Sequence, residues 1–367
     1  MKKRITVSIF TIVLCAAVIA GGTMAWFTGS AKTNDAVFTA GTVSIKAGQV
    51  LNFSEGEDGD YEWYVGEIKA KRVVGYKCIG VKNPARTNPE AILELETKRA
   101  DSNFFSLGFG GYVAVEFDDI IVPGDSIVIV VEDTWADSSN YPVESADVLA
   151  SMDGENWVEI DKVHNKINTG NDQQYNRITM PAVLEYARYI KIVDTTNPED
   201  FQNINDADGF DVNYIFAEGG YRDRNMNWNP GDTSKKTFKI TNTGTKDIHL
   251  RGKFYGSWYE YDKENYRWTE WEPDPDLDVV TIELADSGWV RGSDGWFYYD
   301  GSIDGTYPDK EPASVTLDIN VCLDGRNTDN QYQGKRYILS GTFEAIQASN
   351  GASRATGWAY VPSETQD

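Results

Sequence analysis

The chain has 367 residues, 34 basic and 57 acidic, for a net charge of −23, with 13% aromatic residues and three cysteines. A surplus of that sign excludes nucleic acid as a partner, because the two would repel. Three cysteines exclude a disulfide framework, so stability has to come from apolar cores.

The chain opens on Lys2-Lys3-Arg4, an apolar run over 5–20, and the small-residue segment Gly21-Gly22-Thr23-Met24-Ala25. This order predicts a secretory signal peptide over 1–25, cleaved between Ala25 and Trp26. The apolar run is shorter than the roughly 20 residues a spanning helix needs, so no membrane span is expected after processing. Leu14 before Cys15 is not the small residue of a lipidation site. Cleavage removes three basic and no acidic side chains, which leaves 31 basic residues against 57 acidic and a net charge of −26. Localisation is expected to be secreted, in an extracellular matrix or on a cell surface.

After the signal, short alternating or apolar runs bounded by turn residues recur at 37–45, 112–117, 126–131, 189–193, 237–241, 315–321 and 337–345, the pattern of sandwiches and barrels. Asp153-Gly154 and Asp294-Gly295 stand between such runs and predict tight hairpins. Brief helical turns are expected at 89–93 and 198–201 only. The acidic connector 55–60 and the polar stretch 218–230 bracket a block large enough for its own core. The fold class is therefore all-β: one antiparallel sandwich, 26–50 with 223–351, interrupted by a second over 61–217 and followed by a tail over 352–367. The thiols left after cleavage, Cys78 and Cys322, are far apart in sequence and are expected to stay separate.

Three separated motifs in the flanks carry a resemblance. They are Gly21-Gly22-Thr23-Met24-Ala25-Trp26-Phe27 with Asp35-Ala36-Val37-Phe38-Thr39-Ala40-Gly41-Thr42-Val43; Asn229-Pro230-Gly231-Asp232 with Asn242-Thr243-Gly244; and Asn330-Gln331-Tyr332-Gln333-Gly334-Lys335 leading to Thr342-Phe343-Glu344-Ala345. In order and placement this resembles the TasA and camelysin family of secreted Gram-positive biofilm-matrix proteins, exported through the SipW signal peptidase. The resemblance implies an immunoglobulin-like or jelly-roll sandwich, a SipW-type peptidase as processing partner, and assembly of the chain with itself into fibres. Assembly would use strand donation by the freed N-terminal segment, here Trp26, Phe27 and Thr28 through Asp35 and Ala36. A disordered N-terminus is the alternative.

The block over 61–217 is similar in outline to discoidin-type jelly-roll modules of bacterial surface proteins. The matching pieces include Phe105-Ser106-Leu107-Gly108-Phe109-Gly110-Gly111, Pro123-Gly124-Asp125, Asn156-Trp157 and Asp208-Gly209-Phe210-Asp211-Val212. It departs from that pattern at Asn213, where an acid is expected. Glu132 and Asp194 each end a strand-like run, and Asp206, Asp208 and Asp211 crowd one Gly-containing turn. Alternating carboxylates in a folded loop suit calcium, which takes six to eight oxygens, so these five acids form the expected structural calcium site. An acidic solvated loop is the alternative.

Aromatic clusters at 258–271 and 296–299 suit cross-strand packing better than sugar stacking. The camelysin branch implies metallopeptidase activity, but the chain has only His164 and His249, each alone, and no His-Glu-x-x-His. The reading is a non-enzymatic, self-assembling matrix protein that displays a binding module. A surface adhesin for matrix or cell-wall polysaccharide is the alternative.

Overall fold

A computed structural model describes residues 28–32, 38–40, 43–51, 53–54, 61–96, 100–133, 141–167, 173–273, 278–285, 288–307 and 310–362. The expected cleavage pair Ala25 and Trp26, and Phe27, Asp35 and Ala36 of the expected donor, lie outside these residues. Among the described residues no helix is long and apolar enough to cross a membrane.

Contacts divide the chain into two units, Met1–Leu51 with Asn229–Trp258 and Glu272–Asp367, and Asn52–Trp228 with Tyr259–Trp271. The chain begins with β1 (Thr28–Lys32), β2 (Phe38–Ala40) and β3 (Val43–Val50) of the first unit. Ten strands of the second unit follow: β4 (Phe53–Ser54), β5 (Tyr61–Lys77), β6 (Phe105–Ser106), β7 (Tyr112–Ile121), β8 (Ile127–Asp133), β9 (Ser145–Ser151), β10 (Val158–His164), β11 (Gln173–Thr179), β12 (Ala187–Asp194) and β13 (Asp211–Asp223). The chain then runs through β14 (Thr233–Asn242), β15 (Ile248–Asp262), β16 (Arg267–Trp271), β17 (Val280–Leu284), β18 (Trp289–Arg291), β19 (Phe297–Tyr299), β20 (Ser314–Leu323) and β21 (Arg336–Gln347).

The first unit packs two antiparallel sheets, β17-β20-β14-β3-β2 and β1-β21-β15-β19-β18. Alternation along β14 and β20 turns Phe238, Ile240, Leu317 and Ile319 inward. There Phe238 meets Phe254 of β15 at 4.7 Å between ring centres, and Phe254 meets Phe343 of β21 edge-on at 5.9 Å. The flank motifs are turns and caps. Asn229 accepts from Asp232 N–H while Asp232 Oδ2 accepts from Asn229 N–H, and Gly231 takes a φ of 100° that favours glycine. Asn242 is fully buried, its Nδ2 donating to the carbonyls of Lys246, Ile303 and Asp304 at 2.9–3.1 Å. Part of the expected tail is docked: Trp358 packs on Tyr298, and the Arg251 guanidinium lies 5.0 Å from the Trp358 ring and 4.2 Å from Trp296.

The second unit bends one path of strands, β10-β9-β12-β7-β5-β13-β8-β11, around a core of Val113, Val115, Phe117, Val130, Ile190, Ile192, Phe210 and Ile215. β5 is the corner. It pairs with β13 over its first half and with β7 over its second, with bulges at Ala70/Arg72 and Val73/Gly75. Both Asp-Gly hairpins form, with Gly154 and Gly295 at φ 80°. The two brief helical turns form as 3₁₀ turns, Pro89–Leu93 and Pro198–Phe201, each begun by an asparagine whose side chain caps the turn ahead of a proline.

Two segments depart from the division read in the sequence, and the first, residues 223–228, falls with the second unit, β13 pairing with β5 as far as Asp223. The hairpin Tyr259–Trp271 falls with the second unit rather than with the flanks. Its aromatics explain this: Tyr266 packs edge-on against Tyr76, Tyr261 O–H donates to the Val73 carbonyl, and Trp268 Nε1 donates to Glu116 Oε2 at 2.9 Å. The aromatic cluster is packing, as its strand composition suggests. Cys78 and Cys322 are both free and fall in different units. The Cys78 thiol donates to the Ser106 carbonyl, and burial raises its pKa.

Candidate functional site

Loops at one end of the second unit enclose a cavity of about 260 Å³. It is lined by Arg86 from the 3₁₀ turn Pro84–Arg86, Asp133 at the end of β8, Tyr141 and Glu144 before β9, and Ile204, Asn205, Asp206, Asp208 and Asp211 on the approach to β13. Asn83 caps the first of these turns, and Pro84 begins it, which fixes where Arg86 emerges.

Arg86 organises the wall. Its Nη1 donates to both oxygens of Asp208 at 3.2 and 3.1 Å, while Nε and Nη2 donate to Asp101 at 3.1 and 2.8 Å. Its guanidinium stands 5.1 Å from the Phe104 ring. Burial works to lower the Arg86 pKa, but the charge of Asp208 and the hydrogen bond to Asp101 outweigh it and raise it. Across the cavity Tyr141 O–H donates to Glu144 at 2.8 Å and Asn165 donates to its other oxygen at 3.3 Å. Ser106 O–H donates to Asp211 at 2.5 Å. Burial, with the charges of Asp208 and Asp194 beside it, raises Glu144 to about 8 in spite of the Tyr141 hydrogen bond. Burial, then the charges of Glu144 and Asp208, raises Asp211 well above the carboxylate range.

The sign for stability follows from Glu144. A folded pKa of about 8 against an ordinary 4.5 means the native state holds the proton more tightly. Its contribution is complete below pH 4.5 and is lost as pH rises to about 8. Glu144→Gln keeps the protonated form's shape without titrating. The variant's unfolding midpoint in urea with EDTA should therefore fall less between pH 5 and pH 8 than the parent's, and equal falls would remove Glu144 as the cause.

The five acids expected at a calcium site are not gathered into one set. Asp206, Asp208 and Asp211 line the cavity, Asp208 paired with Arg86. Asp194 instead accepts from the backbone N–H groups of Gly110 at 2.8 Å and Phe210 at 2.9 Å, holding the turn around Gly209. Glu132 is fully buried on β8, across from Val212, and is not on the cavity wall. Among the described residues no three His, Cys, Asp or Glu side chains are placed together to hold a metal ion. The guanidinium explains this at Asp208, since it already supplies the positive charge a cation would bring. Arg86, Asp133, Tyr141 and Glu144 were not legible as site residues. The only local signal was the Asn-Pro turn that ends at Arg86.

His164 lies on β10 of the second unit, its Nδ1 accepting from Lys166 N–H, and His249 is buried on β15 of the first.

Two antiparallel β-sandwiches, one interrupting the other in sequence, define an all-β protein with a loop-end cavity. Over residues 1–62 the chain matches the sequence model of the camelysin metallo-endopeptidase family. No curated protein matches it. Among solved structures it is similar to the C-terminal domain of a chitobiase from Bacteroides fragilis, at 14% identity over 43% of this chain and 94% of that one, TM-score 0.28. It is also similar to CBM32-3 from a family 31 glycoside hydrolase from Clostridium perfringens, at 16% identity over 41% and 90%, TM-score 0.25. Truncated AlyQ with CBM32 and alginate lyase domains matches at 8% identity over 80% and 94%, TM-score 0.29.

Proposed function

We propose that this chain is a secreted, non-enzymatic protein of a Gram-positive cell surface or matrix, processed by a SipW-type signal peptidase, whose first unit assembles with copies of itself. The observation that carries this is the place of β1. It follows the expected cleavage point directly, and among the described residues its only hydrogen-bonded neighbour is β21, from Thr28↔Ile346 to Lys32↔Thr342. An edge strand held by one neighbour can be supplied equally by a second copy, with the same register and the same backbone hydrogen bonds. The camelysin match over 1–62 includes this strand. Electron microscopy of chains beginning at Trp26 and at Val37 tests the reading. Fibres are expected from the first and none from the second, and equal fibres from both would overturn it.

The cavity favours a second reading, in which the inserted unit binds matrix or cell-wall polysaccharide. The Arg86 fork, Tyr141 and the carboxylates beside them donate and accept as sugar hydroxyls require. Retention of the parent chain on such polysaccharide, lost with Arg86→Ala, supports it. Calcium enters this proposal as a structural ion at Asp206 and Asp211 on the same wall.

A further inference from the structure

Beside the cavity, Asn213 closes a knot of hydrogen-bond acceptors. It lies on β13, fully buried, two residues beyond Asp211, at the position where the sequence pattern leads one to expect an acid. Its Nδ2 donates to the backbone carbonyls of Glu96 at 3.4 Å and Asn103 at 3.3 Å, and to Asp133 Oδ2 at 3.3 Å. Three oxygens thus face one nitrogen that carries two hydrogens. All three distances exceed the usual N–H···O optimum of about 2.9–3.0 Å. On the far side of the amide, Oδ1 is buried and has no hydrogen-bond donor among the described residues.

For an amide this is a poor match, since three oxygens share two hydrogens. For a cation it would be a good one, because two carbonyl oxygens and a carboxylate oxygen on one point are ligands of the kind hard ions take. The direction of the amide is set by the same count. Turned over, it would aim Oδ1 at three other acceptors with no hydrogen between them.

We propose that the side-chain amide of Asn213 stands in for a cation, so that the clasp joining Glu96, Asn103 and Asp133 to β13 is metal-free. The clasp ties β13 to the loop that carries Arg86, Asp101 and Phe104, and to Asp133 on the cavity wall. That wall is therefore held in place without calcium at this point, whether or not Asp206 and Asp211 take an ion of their own.

The test is Asn213→Asp in the full chain. The substitution keeps the shape, exchanges two hydrogens for a charge, and sets two carboxylates and two carbonyls around one point, a set of oxygens that suits a cation. Calcium chloride titrated by calorimetry should count one more ion per chain in N213D than in the parent. The Tm of N213D in EDTA should fall below the parent's and recover in calcium chloride. N213L should bind as many calcium ions as the parent. An N213D that binds no additional calcium, or whose Tm is the same in calcium and in EDTA, overturns the proposal; so does an N213L that folds and has lost an ion. The parent's own calcium count separately tests the ion at Asp206 and Asp211, so the two can fail independently.

Discussion

Replacing Arg72 by leucine is expected to destabilise the second unit by about 3–5 kcal/mol, the loss typical of stranding one member of a buried ion pair. Glu116 is fully buried on β7. Arg72 Nη1 lies 3.0 Å from Glu116 Oε2, an ion-pair contact rather than an aligned hydrogen bond, and Nη2 donates to Asp118 at 2.7 Å. Tyr189 O–H and Trp268 Nε1 donate to Glu116 at 3.0 and 2.9 Å, and the Arg72 guanidinium stands 5.3 Å from the Trp268 ring. Arg72→Leu takes the guanidinium away from the carboxylate and keeps the neutral donors Tyr189 and Trp268. Trp268→Phe removes one donor and should cost about 1–3 kcal/mol. The two losses should not add, because both act on one carboxylate. Urea unfolding of the full chain, followed by a probe in the second unit, measures both. An Arg72→Leu loss under about 1 kcal/mol, the range of exposed pairs, would mean that water reaches Glu116.

Gly108→Ala is expected to cost about 3–5 kcal/mol, from a left-handed backbone imposed on alanine and a clash that only backbone movement relieves. Gly108 sits at φ 72°, and a Cβ there would come 1.8 Å from the Ile79 carbonyl oxygen. Its N–H donates to the Asp208 carbonyl at 2.8 Å, so the displacement reaches the cavity wall. Gly124→Ala is the control. It shares the positive φ, 80°, but has open space where the Cβ would stand, so it should cost only the backbone penalty, about 1–2 kcal/mol. Thermal unfolding of the two variants separates steric from conformational cost, and equal Tm losses would rule out the clash at Ile79.

Asp194 and Glu132 show where reading carboxylates from sequence stops. Asp194 ends β12 as expected and Glu132 stands one residue before the end of β8, yet Asp194 faces the backbone N–H groups of its own turn and Glu132 the interior. Which way a carboxylate points at a strand end depends on the loops that fold over it. Those loops come from residues 84–96, 107–111 and 141–144, which no local pattern ties to residue 208. Arg86 was missed for the same reason, since its partner Asp208 is 122 residues away.

Features that act over a few residues were legible in the chain. Period-two alternation set the strands, Asp-Gly and Pro-Gly-Asp set the hairpins and turns, and Asn-Pro set the 3₁₀ turns at 89 and 198, because backbone preference and side-chain capping are short-range. Long-range packing selected the rest. The aromatic hairpin Tyr259–Trp271 joins the second unit because Glu116 and Arg72 lie buried there to receive Trp268. Three of the acids share a cavity with Arg86 because β13 returns beside β8. The amide of Asn213 fills a shell of oxygens drawn from Glu96, Asn103 and Asp133. Each of these rests on burial and partner geometry across more than eighty residues of chain or close to it, a range at which packing, not local pattern, selects the partner.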